Sequence, residues 1–390
     1  MNRHYVVLLL CVVGLVGCGG GGEGDVVETG VPAVESDSMA VPSYMVDTAW
    51  PPALPNDWVM GVPTSVSVDG RDHVWVLHRP RTVPEEQQEN AAPAVLEFDA
   101  EGAFVQGWGG AGEGYDWPDT EHGIFVDHER HVWITGINPR AGGNVSDRSD
   151  DMVLKFTQDG GFLFQLGGYD VSGGNADTES PRQAADVAVY AATGEVFVAD
   201  GYGNRRVWVV DAETGAYKRQ WGAFANEPVD TYPVGEAGPQ PSPPDPDATL
   251  ETEGPGPDQW GIVHGIGVSR DGEVYVADRG NRRIQVFSVE GEYLRQGFVN
   301  RPGPSANTVA RVVFSSDPEQ RFIFANDFGN GKIWILTRAT LDTVGEIGSL
   351  GSDPGQFTNL HHIAVDSRNT VYTAEVGGNR RVQKFVVTIP

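Results

Sequence analysis

Short apolar runs of five or six residues recur along the chain, each closed off by Gly, Pro, Asn or Asp. Six share one pattern: Val74-Trp-Val-Leu-His-Arg79, Val132-Trp-Ile-Thr-Gly-Ile137, Val196-Phe-Val-Ala-Asp200, Val274-Tyr-Val-Ala-Asp278, Ile323-Phe-Ala-Asn-Asp327 and Val371-Tyr-Thr-Ala-Glu375. Runs this short, and this rich in β-branched and aromatic residues, predict strands. Another apolar strand stands about ten residues before, as in Val66-Ser-Val-Asp69 and Ile363-Ala-Val-Asp366. In four units a Gly-Asn-Arg-Arg or Gly-Asn-Gly-Lys turn leads into a third strand, such as Val207-Trp-Val-Val or Ile284-Gln-Val-Phe. A fourth strand follows a Gly turn, as in Gly291-Glu-Tyr-Leu-Arg-Gln. No stretch keeps a 3.6-residue apolar period over three turns, which excludes helical bundles and helical solenoids. Four strands per unit, six times, predict an all-β fold, a six-bladed β-propeller over 44–390. Two stacked β-sandwiches would leave the regular return of Ala-Asp and Gly-Asn-Arg-Arg unexplained. The sixth unit stops at Pro390 after its third strand, so its outer strand is expected from around Tyr44–Trp50, closing the ring.

Composition narrows the function classes. The 390 residues include 51 Gly and 26 Pro, a density of backbone punctuation that suits many short strands. Net charge is −27, from 27 Lys and Arg against 54 Asp and Glu. Such a surface repels phosphate backbones, so no nucleic-acid partner is expected.

The N-terminus reads as an address. Arg3 precedes the apolar run Tyr5–Val16, too short to span a bilayer but suited to a signal peptide. Leu15-Val16-Gly17-Cys18 resembles the bacterial lipobox, with Cys18 as the lipidated residue. Residues 1–17 are therefore expected to be a lipoprotein signal peptide and 18–43 a flexible tether. The alternative is an ordinary signal peptide with a chance cysteine. The expected product is a monomer at the cell envelope, held to the membrane through its N-terminal lipid. Gly19, where an Asp would favour retention, points to the outer membrane. Cys11 leaves with the signal and Cys18 is acylated, so no thiolate ligand, nucleophile or disulfide remains.

Three histidines keep one place in alternate units. His122, His264 and His361 each stand about ten residues before a repeat anchor, in His-Gly-Ile-Phe-Val, His-Gly-Ile-Gly-Val and His-His-Ile-Ala-Val. They head the inner strands of blades 2, 4 and 6, which lie about 120° apart. Three imidazoles so arranged suit a zinc ion with one position left open. The plainer reading is three channel-lining hydrogen bonders. Counting back from the anchors puts Thr64 and Asp186 at the matching positions of blades 1 and 3. His362 directly follows a candidate ligand along a strand, so its side chain is expected to face away from the axis. Arg79, Tyr202 and Arg279 follow second strands and should share the mouth with the histidines. They offer two cations for a carboxylate and a phenol for proton transfer.

The repeats resemble the NHL-repeat family of propellers, over about 55–388. The site residues resemble those of the peptidyl-α-hydroxyglycine α-amidating lyases in His78-Arg79, Asp200-Gly-Tyr-Gly-Asn204 and Ala277-Asp-Arg-Gly-Asn281. That resemblance implies zinc on His122, His264 and His361. It implies Tyr202 as base, with Arg79 and Arg279 holding the carboxylate and the developing charge. The implied reaction cleaves a C–N bond of a peptide-like substrate and releases glyoxylate. The chain departs from the family at Gly203, where a disulfide Cys stands in animal enzymes, and at Asn359 in place of Met. His362 replaces the acid that ligates a structural calcium.

Insertions at Pro80–Pro93, Asn138–Asp151 and 223–258 should emerge on the histidine face, where extra loops build a binding mouth. The last is rich in Pro, Gly and acids, as a mobile flap would be. Two functions stand at this point: a metal-dependent lyase or hydrolase, and a non-catalytic propeller that binds a protein or ligand on its top face. Gluconolactonase-like propellers use carboxylate and Asn ligands for calcium, which the three-histidine register disfavours.

Overall fold

The computed structural model describes residues 40–139, 145–230, 253–305 and 307–389. The expected signal peptide, Cys18, the expected tether up to residue 39 and residues 231–252 of the long insertion lie outside the described residues.

Six four-stranded antiparallel sheets form the ring, each running outward in chain order. Their inner strands are Val62–Val68, Glu121–Val126, Asp186–Tyr190, Val263–Val268, Val309–Phe314 and Leu360–Val365. Each inner strand packs against those of the two neighbouring blades, and blade 6 packs on blade 1. Blade 6 takes its outermost strand, Ser43–Asp47, from the other end of the chain, where it pairs antiparallel with Val382–Ile389. The chain is a six-bladed β-propeller.

The apolar side chains bury between the blades. Trp75 and Leu77 of blade 1 pack on Ile124 and Ile134 of blade 2. Trp133 and Val153 of blade 2 pack on Val187 and Trp208 of blade 3. The same arrangement repeats between blades 3 and 4 and between blades 4 and 5.

The recurring turn has an electrostatic reason. Asp200 and Asp278 end second strands and are fully buried. A buried carboxylate needs a cation and hydrogen-bond donors. The turn supplies both: Asn204 and Arg206 reach Asp200 at 2.7 Å each, and Asn281 and Arg283 reach Asp278 at 2.8 Å each. Asn379 and Arg381 hold Glu375 in the same way. Blade 5 has Lys332 in place of the arginine. There Trp334 and Asn330 hold Asp327, and the lysine turns outward to Glu346.

Candidate metal and catalytic site

The three histidines do not sit in regular strand. The ladder of blade 4 passes from Val263 opposite Asp278 to Gly265 opposite Ala277, which leaves His264 as an extra residue. Blade 6 passes from Leu360 to His362 and leaves out His361. Blade 2 breaks register between Glu121 and Ile124, around His122. A β-bulge of this kind re-aims a side chain. Here it turns each imidazole toward the axis.

The next blade then orients the ring. His122 Nδ1 lies 2.7 Å from the Ala185 carbonyl, His264 Nδ1 2.8 Å from that of Ala310, and His361 Nδ1 2.6 Å from that of Thr64. A carbonyl only accepts, so each Nδ1 carries the hydrogen and each Nε2 keeps its lone pair. A backbone acceptor that sets the tautomer in this way is common behind metal-binding histidines. The glycine after His122 serves the same contact. A Cβ on Gly123 would stand 2.6 Å from the Ala185 oxygen, and one on Gly265 would collide with that of Ala310.

The three rings converge. Their centroids are 4.5–4.9 Å apart, and one nitrogen from each lies within 4.8 Å of the others. All three are buried. Burial first, then Arg279 and the other two imidazoles, hold His264 well below the ordinary histidine range, so it is neutral and free to donate its lone pair. Three buried imidazole donors, with no carboxylate among them, fit a borderline metal such as zinc.

Two of the three candidate residues from the second strands touch the cluster's surroundings directly. Tyr202 Oη lies 3.1 Å from both His122 Nε2 and His264 Nε2, and Arg279 Nη1 donates to it at 3.2 Å. Arg79 Nε donates at 3.0 Å to the carbonyl of Glu121, beside His122. His78 stands apart from the cluster. Its ring accepts from the Gly61 amide and donates to the Pro93 carbonyl, and burial pushes it down to about 4.

Sequence reasoning missed Phe328, which follows the second strand of blade 5 as Arg279 follows that of blade 4. Its ring centroid lies 5.1 Å from the Arg279 guanidinium and 6.0 Å from the His361 ring. No repeated motif marks it, although its position after Asp327 does.

Two expectations are corrected. The residue of blade 3 that matches the histidines is Ala185, not Asp186. The first hairpin of that blade is one residue longer, so counting back from Val196 lands one place late. His362 does not turn away from the axis. Because the bulge absorbs His361, the next side chain is also directed inward. Its Nδ1 accepts from the Val66 amide, and its Nε2 lies 3.8 Å from Asp186 Oδ1, across the ring. Asp186 is ion-paired there with Arg311 of blade 5. Burial and Arg311 hold His362 well below the ordinary histidine range. A calcium ion does not suit this group: it offers one carboxylate, already paired, and a resident cation. A cavity of about 390 Å³ opens beyond it, toward the opposite end of the inner strands.

A second cluster with metal-like spacing, Asp69, His73 and Glu97, is already bridged by the Arg71 guanidinium at 2.6 and 2.8 Å. It is a turn clamp.

Fold and cluster together define a six-bladed propeller with a buried three-histidine site. The NHL repeat model matches residues 262–287, in blade 4. NHL repeat-containing protein 3 of Homo sapiens is 25% identical over 351 residues, covering 88% of this chain and 84% of that protein. Peptidyl-glycine alpha-amidating monooxygenase B of Xenopus laevis is 28% identical over 177 residues, 45% of this chain and 16% of that protein. A probable peptidyl-alpha-hydroxyglycine alpha-amidating lyase of Caenorhabditis elegans is 24% identical over 263 residues, 66% of this chain and 62% of that protein.

Proposed function

We propose that the ring is a zinc-dependent lyase that cleaves the C–N bond of a C-terminal α-hydroxyglycine, leaving an amide and glyoxylate. One observation carries the reading: Tyr202 Oη stands 3.1 Å from two of the three converging Nε2 atoms and accepts from Arg279. The similarity to amidating enzymes supports it.

His122, His264 and His361 would hold the metal. Bound there, zinc would act as a Lewis acid on the substrate hydroxyl. Arg79 and Arg279 bind the substrate carboxylate, a task suited to the planar guanidinium. Tyr202 takes the hydroxyl proton as the C–O bond becomes C=O and the C–N bond breaks. The departing nitrogen receives that proton and becomes the amide, so atoms and charge balance. Inner strands fix the histidines, and the ends of second strands fix Tyr202, Arg79 and Arg279, before substrate arrives.

The test is release of glyoxylate from a peptide ending in hydroxyglycine. Tyr202→Phe should lower turnover by ~10²–10⁴ while metal content stays unchanged. Near-full turnover in that variant would overturn the role of Tyr202. The match that covers most of both chains is to a protein named only for its repeat, which favours a second reading, a non-catalytic scaffold. Metal-free protein without turnover would select that reading.

We also propose that the chain is lipidated on Cys18 and sits at the cell envelope, on the motif around that residue. A Cys18→Ser form that stays membrane-bound after salt washing would refute it.

A further inference from the structure

We propose that a groove between blades 1 and 2 holds the peptide part of the substrate, and that Glu121 hydrogen-bonds its backbone. This rests on the lyase reading for the identity of the C-terminal residue.

The groove has a volume of about 520 Å³, and its lining includes Tyr115, Trp117, Tyr169, Arg81, Arg148 and Glu121. It lies against the metal site through Glu121. The residue after Glu121 is His122, and the Glu121 carbonyl accepts from Arg79. A substrate with its last residue at the histidines must run its chain outward, and this groove offers a path beginning one residue away.

The walls are built. Tyr169 Oη donates to the Trp117 carbonyl, and Tyr115 Oη to that of Gly110 at 3.0 Å. The guanidinium of Arg148 lies 3.8 Å above the Tyr169 ring and is paired with Asp119 at 2.8 Å. Arg81 donates to the Asp119 carbonyl at 3.1 Å. The Glu121 side chain is the exception. Its Oε1 accepts from Trp117 Nε1 at 3.0 Å, but its Oε2 has no hydrogen-bond partner among the described residues. Glu121 is only 5% exposed. A buried carboxylate oxygen without a donor, on a residue that lines a cleft, calls for one, and a peptide N–H entering beside it supplies one. The aromatic walls suit an apolar or aromatic side chain next to it.

Two measurements on the whole protein test this. In the first, turnover is compared for an acetyl-capped hydroxyglycine and for a peptide with an aromatic residue before the hydroxyglycine. The peptide should be preferred through KM. Glu121→Gln and Tyr169→Leu should each reduce that preference, the former by roughly tenfold or more. In the second, calorimetry follows binding of the same peptide ending in ordinary glycine, which needs no turnover. Binding should weaken in both variants. Equal use of the two substrates would overturn the groove and spare the lyase. Groove-dependent binding without glyoxylate release would overturn the lyase and uphold a peptide site. Binding unchanged in both variants would overturn the proposal outright.

Discussion

Two layers of side chains cross the axis of this ring, one residue apart along the inner strands, and they treat charge in opposite ways. The outer layer is His122, His264 and His361. Each imidazole is locked by a carbonyl of the next blade, and each Nε2 lone pair faces the axis. The deeper layer is Asp186, Arg311 and His362. It is closed by its own ion pair and a neutral imidazole. One layer brings three imidazole nitrogens together; the other carries a cation as part of the chain. In blade 6 one bulge supplies both, because it places His361 and His362 on the same side of the strand. The lesson is that adjacency to a metal-like cluster does not make a residue part of it. What decides is whether its neighbours already carry a paired charge.

The contrast can be broken most severely at the outer layer. His264→Ala should reduce bound metal from about one ion per chain to near none, since a three-nitrogen site seldom survives loss of a ligand. Elemental analysis of folded protein reads this, and retained metal would dissolve the distinction. At the deeper layer the effect should fall on stability. Arg311→Met strands Asp186 without its cation and should cost about 3–5 kcal/mol in denaturant unfolding, with metal content unchanged. Replacing Asp186 as well, by Leu, should restore most of that loss.

A smaller effect is expected where Arg279 meets the Phe328 ring. Phe328→Leu removes the ring beside Arg279, an interaction of about 0.5–1 kcal/mol. KM for the carboxylate substrate should rise a few-fold with kcat preserved. The smallest change concerns calcium. Added to chelator-treated protein, calcium should leave the melting temperature where it is, whereas zinc should raise it. A calcium-dependent rise would show that the Asp186–Arg311 pair does not do the work assigned to it.

The repeat made the blades and the three histidines legible, because a residue that returns in alternate units stands out against a periodic background. The ring closure was legible for a similar reason: a unit one strand short needs a strand from elsewhere. What could not be read was the consequence of single-residue irregularities. Strand alternation puts His362 outside, and only the bulge at His361 reverses it. A hairpin longer by one residue moves the matching position from Asp186 to Ala185. Phe328 and Glu121 occur once each, without a motif, and they matter through contacts that join separate blades.

The strand Ser43–Asp47 has a consequence for where the chain can be cut. It completes blade 6 by pairing along Val382–Ile389, so the ring is latched by residues near its own start. A cut ahead of Ser43 spares that strand and leaves all six sheets four-stranded. A nick just past Asp47 unhooks the latch and bares a strand edge, the kind of surface that recruits other chains into aggregates. A few residues thus separate a cut the ring survives from one that opens it.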